Sequence, residues 1–135
     1  MSPADIIQKY LGISYQHHGR DLSGLDCYGL ILKIFEDQGV KLWDINEDYD
    51  QQWSWMGKNL ILENYAREWE RVEDQRFMDV VCFKNGKGVV NHAGVMLGEN
   101  KFIQAVKAGV VVSRLTDRDW QKRFVGFYRY KGLTK

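Results

Sequence analysis

Residues 92–105, HAGVMLGENKFIQA, read as two short strands joined by a turn. Apolar positions dominate on either side of Gly98-Glu99-Asn100, and those three residues are turn formers. The strands run over His92–Leu97 and Lys101–Val106. Further strand candidates lie around them: Asp79–Lys84 (DVVCFK), Gly109–Leu115 (GVVVSRL) and Phe124–Tyr130 (FVGFYRY). Gly, Asn and Lys separate most of them, which predicts an antiparallel meander of about five strands. Before residue 76 the period is helical instead. Ser2–Tyr10 forms a first helix, with Ser2 as cap, Pro3 at its first position and Ile6, Ile7 and Tyr10 on one face. Residues 12–25 are loop-like. A second helix near 27–38 carries the stripe Leu30, Ile31, Ile34 and Phe35 and stops at Gly39. Residues 41–56 are irregular and aromatic, with Trp43, Tyr49, Trp53 and Trp55. A third helix is predicted near 57–72, with Ile61, Tyr65, Trp69 and Val72 on one face. Helices first and strands later favour an α+β fold over a wound βαβ sheet.

The chain has 135 residues, which fits one domain spanning 1–135 with a helical and aromatic insertion at about 41–76. Hydrophobic residues at 44% and charged ones at 27% are globular values and exclude a disordered chain. The 19 basic and 18 acidic side chains nearly cancel, so there is no electrostatic footprint for nucleic acid or an anionic membrane. No apolar run approaches the roughly 18 residues that would cross a bilayer. The opening MSPADIIQKY lacks a basic stretch followed by an apolar one, so no secretory leader is expected and synthesis in the cytoplasm is.

Two cysteines, Cys27 and Cys82, do not make a disulfide framework. Cys27 opens a predicted helix, where unpaired N–H groups and the helix dipole favour thiolate. The bland alternative is a small buried hydrophobe. His92, at the start of a strand on a sheet facing that helix, is placed to act as a general base; otherwise it is an ordinary surface or core histidine. Gln104 is the third candidate. A two-residue turn at Glu99–Asn100 would put it on the face opposite His92. A three-residue turn would pair Leu97 with Lys101, set Gln104 opposite Gly94, and let its amide oxygen hold the imidazole. Asp26 is a natural cap for the Cys27 helix. Zinc is the rival chemistry, from His17, His18, His92, Cys27 and Cys82. The absence of paired spacings such as CxxC or HxxxH argues for no metal and no cofactor.

Tyr15, the run Gly24-Leu25-Asp26-Cys27-Tyr28-Gly29-Leu30, Met78-Asp79-Val80-Val81, and His92 through Ala105 occur together in the order of the NlpC-type cell-wall cysteine peptidases, which this chain resembles over about residues 5–130. The resemblance implies a papain-like α+β domain, with N-terminal helices packed on a C-terminal antiparallel sheet. It also implies hydrolysis of peptidoglycan stem peptides, commonly between D-glutamate and a diamino acid. It makes Cys27 the nucleophile, His92 the base and Gln104 the orienting third member, where most relatives have histidine. Tyr15 then lies near the oxyanion and Asp26 near the substrate amine. Tyr28 replaces the usual serine and keeps its backbone N–H for the oxyanion. The aromatic stretch near 43–72 and the closing RFVGFYRY (123–130) look most like the phage tail-assembly branch. That implies a domain carried to the cell wall on the virion, with tail-tip proteins as partners. The alternative is a weakly active or non-catalytic assembly module in the same tail tip.

Overall fold

The computed structural model describes residues 1–42, 69–88 and 90–133. The predicted Trp43, Tyr49, Trp53 and Trp55 segment and most of the predicted 57–72 helix lie outside the described residues.

Helix α1 spans Pro3–Tyr10. The Ser2 hydroxyl accepts from the Asp5 backbone N–H, and the Asp5 carboxylate accepts from the Ser2 N–H, so two of the helix's unpaired donors are met reciprocally. Ile6 and Tyr10 are buried. Strands β1 (Arg20–Asp21) and β2 (Gly24–Leu25) form a small hairpin within the predicted loop. Helix α2 spans Cys27–Asp37. Its stripe Leu30, Ile31, Ile34 and Phe35 is buried, as the 3.6-residue period demands. It ends as predicted at Gly39, whose φ of +83° is costless only for glycine. The Gly39 N–H donates to the Glu36 carbonyl and the Val40 N–H to that of Phe35, the paired bonds of a Schellman ending.

Among the described residues, six strands form one antiparallel sheet in the order β3-β8-β4-β5-β6-β7. They are β3 (Trp69–Val72), β4 (Val80–Lys84), β5 (Val90–Gly98), β6 (Lys101–Val106), β7 (Gly109–Arg114) and β8 (Phe124–Tyr130). β4 to β7 are the expected meander. β8 returns to pair with β4, and β3 adds a sixth, outer strand. Trp69–Val72 is therefore strand, not the end of a helix. The Trp69 ring packs against Phe35 and Tyr130, at 5.6 and 5.4 Å between centroids, and pairing with β8 outweighs its helical spacing. A short helix α3 (Arg118–Arg123), absent from the sequence reading, leads into β8. No helix among the described residues is long and apolar enough to cross a membrane.

Strand alternation divides the interior. Cys82, Ala93, Val95, Leu97, Ile103 and Ala105 join α1 and α2 in the larger cluster. Val81, Phe83, Met96, Phe102 and Phe127 form a smaller one on the other face, against Trp120 of α3. The start of β4 is clamped by a buried ion pair. Arg129 Nε and Nη2 donate to the two oxygens of Asp79, each at 2.8 Å. The same carboxylate accepts from the Arg76 backbone N–H at 2.8 Å. Removing one partner strands the other charge in the interior. Asp79→Ala is expected to lower the free energy of unfolding by about 3 kcal/mol, read as a lower urea midpoint.

Candidate active site

Asp26 is the cap of α2 and is buried at 2% exposure. Its Oδ1 accepts from the Gly29 N–H at 2.7 Å and from Arg20 Nη1 at 3.0 Å. Its Oδ2 accepts from the His18 N–H at 3.0 Å. The capping role is thus the observed one, and it also binds the 16–20 loop to the helix start. Gly29 makes that docking possible: a Cβ there would stand 2.0 Å from the Gly19 carbonyl oxygen. Cys27 is the first residue of the helix, half-buried and packed on the larger core cluster. Tyr28 is buried at 3% exposure, with the Arg20 guanidinium 5.8 Å from its ring centroid. Its side chain belongs to the core.

Tyr15 is tied to the same place by backbone bonds. It bridges Leu25; the Leu25 N–H donates to the Ser14 carbonyl at 3.0 Å and the Gln16 N–H to that of Leu25 at 3.2 Å. Burial, then the neighbouring Cys27, then Asp26 push the Tyr15 phenol up to about 12. The hydroxyl is therefore protonated at neutral pH and able to donate. Cys82 also feels Cys27, but burial is the chief force raising its thiol, so it is an inert core residue.

His92 Nε2 and Gln104 Oε1 are 2.6 Å apart. An amide oxygen only accepts, so the proton lies on Nε2 and Nδ1 carries the lone pair. Gln104 Nε2 donates in turn to Ser113 Oγ at 2.8 Å. The register behind this contact combines features of both predicted turns. The turn is two residues, with Glu99 and Asn100 at φ of +53° and +65° and Gly98 paired with Lys101. Leu97 is then bulged, which restores Met96↔Phe102 and Val95↔Ile103. Leu97 does not pair with Lys101. Gln104 nevertheless falls beside Gly94, where a Cβ would sit 2.7 Å from the Ile103 carbonyl oxygen and 3.3 Å from Gln104 Cβ.

The helix packs on the face of Ala93 and Val95, and His92 alternates with them. Its ring instead stacks on Trp120 at 5.8 Å and lies 6.0 Å from Phe83. A second bulge, at Asn91, bends β5 beside it: Phe83 pairs with His92 but Lys84 with Val90. A cleft of about 370 Å³ opens there, lined among others by Tyr15, Asn91, His92, Lys107, Trp120 and Arg123. His92 and Tyr15 thus share one cleft. Trp120 and Ser113 were not singled out from the sequence. Trp120 sits in the short helix that periodicity missed, and Ser113 was visible only as the polar break in GVVVSRL. No group of three His, Cys, Asp or Glu among the described residues is placed to hold a metal ion.

Desolvation is the main reason His92 drops from 6.5 to about 4; the Gln104 bond opposes it and Arg123 reinforces it. The ring is neutral and able to accept a proton at pH 7. The unfolded chain binds the extra proton between pH 6.5 and 4, so the stability His92 contributes is complete above pH 6.5 and lost as pH falls toward 4. The loss is on the order of 3 kcal/mol at most. Urea midpoints at about pH 7 and about pH 4.5 should fall further for the wild type than for His92→Gln.

A model of the NlpC/P60 family matches residues 12–129. Gamma-DL-glutamyl hydrolase of Bacillus subtilis (strain 168) is 31% identical over 130 residues, which are 94% of this chain and 28% of that protein. Murein DD-endopeptidase MepS/Murein LD-carboxypeptidase of Escherichia coli (strain K12) is 30% identical over 115 residues, 84% of this chain and 53% of that protein. The chain thus spans about half or less of the length of these two relatives. A crystal structure of an NlpC/P60 family protein from Bacillus cereus superposes with a TM-score of 0.69 at 21% identity, covering 96% of this chain and 40% of that one. That likeness concerns the fold, a papain-like α+β arrangement. With the family match running from the loop before Tyr15 to Arg129 in β8, the chain belongs to the NlpC/P60 family.

Proposed function

We propose that the protein is a cysteine peptidase that cleaves peptidoglycan stem peptides, at the bond between D-glutamate and a diamino acid. The observation that carries this reading is the 2.6 Å bond from His92 Nε2 to the Gln104 amide oxygen, which only accepts and so leaves the Nδ1 lone pair as the base, in a cleft shared with Tyr15. Three further features support it. The relatives named above act on glutamyl or murein peptides by their names. Cys27 sits at a capped helix tip, where N–H groups favour a negative sulfur. Lys107 and Arg123 line the cleft and, among the described residues, no carboxylate does, which suits an acidic stem peptide.

The reaction is acyl transfer to water. His92 Nδ1 takes the Cys27 thiol proton as Sγ attacks the carbonyl carbon. The resulting oxyanion takes hydrogen bonds from the backbone N–H groups of Cys27 and Tyr28 and from the Tyr15 hydroxyl. The C–N bond then breaks, and imidazolium Nδ1–H protonates the leaving amine. Water, giving a proton to His92, attacks the thioester; the acid leaves and the thiol is restored. Gln104 accepts from Nε2 throughout. It carries no charge, so it orients the imidazolium but stabilises it less than a carboxylate would. Asp26 serves by holding the helix tip, and a substrate amine would meet its carboxylate only by competing with Arg20 and the His18 N–H.

The finer setting proposed is a phage tail tip, on the likeness of the 43–72 and 123–130 stretches to that branch of the family. Peptide mass spectrometry of purified phage particles should then detect the chain. Cys27→Ala should abolish release of stem fragments from purified peptidoglycan while leaving the melting temperature within a few degrees. Unchanged release would refute the nucleophile. Iodoacetamide should alkylate Cys27 well below pH 8 and spare Cys82. An unreactive Cys27 would instead favour the non-catalytic assembly module.

A further inference from the structure

Gln104 is 1% exposed, so its amide must find partners within the protein. Among the described residues it has two: His92 Nε2 at its oxygen and Ser113 Oγ at its nitrogen. Ser113 pairs across β6–β7 with Phe102, two residues from Gln104 on the same face, which sets the hydroxyl diagonal to the amide. The two ends of a carboxamide have nearly the same shape, so hydrogen bonding alone selects which end meets the ring.

Two orders of bonds satisfy the resting row. In one, His92 Nε2–H donates to Gln104 Oε1 and Gln104 Nε2–H donates to Ser113 Oγ. In the other, the Ser113 hydroxyl donates to Oε1, and the amide N–H donates to an unprotonated His92 Nε2. The second order puts the imidazole proton on Nδ1, where it cannot take a proton from a thiol. It also fails once the ring is charged, because an imidazolium donates from both nitrogens. Only the first order survives protonation, and it needs an acceptor beyond the amide nitrogen.

We infer that Ser113 is a positioning residue for His92: its hydroxyl accepts from the far end of the Gln104 amide and keeps the amide oxygen turned toward the imidazole. This rests on His92 acting as the base, but the orientation itself can be read without any reaction. Nothing about residue 113 suggests this role in isolation. It is a half-buried polar position on a strand, and only the row His92–Gln104–Ser113 gives its oxygen a task.

The test compares Ser113→Thr with Ser113→Val, two β-branched side chains of the same shape that differ in the hydroxyl. The first measurement is the ring-nitrogen spectrum of ¹⁵N-histidine-labelled protein near pH 7, without substrate. Wild type and Ser113→Thr should show His92 as the Nε2–H tautomer, and Ser113→Val a mixture of the two. The second is cleavage of stem peptides, where Ser113→Val should lose about tenfold in kcat with KM within about twofold, and Ser113→Thr should stay near wild type. The inference is overturned if Ser113→Val keeps the wild-type tautomer, or if Thr and Val behave alike. If even the wild type cleaves no stem peptide, the proposed function falls, while the spectra still decide the role of Ser113.

Discussion

A slip of one residue between β5 and β6 would carry Gln104 to the other face of the sheet and leave His92 without its amide partner. The register that prevents this is held at the hairpin end. Glu99 and Asn100 both adopt positive φ, and the bulge at Leu97 absorbs the residue that a plain two-residue turn would leave out of phase. Gly94 completes the arrangement, because any side chain there would press on the Ile103 carbonyl and on Gln104. The row from His92 through Gln104 to Ser113 is therefore a property of three strands, and no one of them could form it alone.

The helix tip is positioned by a separate set of constraints. Asp26 ends the α2 dipole, binds Arg20 and holds the His18 backbone. Gly29 lets the loop lie directly on the helix, Gly19 lets it pass the Gly24 carbonyl, and Tyr15 is bridged to Leu25, two residues before Cys27. A cap is worth about 1 kcal/mol by itself. Here the same carboxylate also fixes where the loop runs, so its structural consequence exceeds that figure.

His92 is tuned by what surrounds it. Trp120, Phe83 and the strands remove water from the ring, which keeps it neutral at pH 7. A neutral ring keeps the lone pair that a base needs, which an imidazolium lacks, but the same desolvation makes protonating it harder than in water. Arg123, 4.8 Å from the Trp120 ring centroid and bonded through Nε to the Lys84 carbonyl, holds α3 in place over that stack. The same guanidinium adds to the positive lining of the cleft. Fold and cleft electrostatics thus share one residue.

Local chemistry made the α+β order, the capped Cys27 helix and the four meander strands legible from sequence. Ser2, Asp26 and Gly39 act on their own backbone neighbours, and period-two or period-3.6 spacing reports a buried face whatever lies opposite. Cys27, His92 and Gln104 stood out by residue type, position and resemblance to a known family. What neighbours in sequence do not encode was settled only in three dimensions. Trp69 became a strand residue because β8 lay beside it, and Trp120 reached His92 through a helix too short to show a period. The face His92 occupies, the bulges at Asn91 and Leu97, and the partnership of Gln104 with Ser113 depend on which strand pairs with which residue of the next. That pairing is a non-local choice, fixed by the packing of the whole sheet.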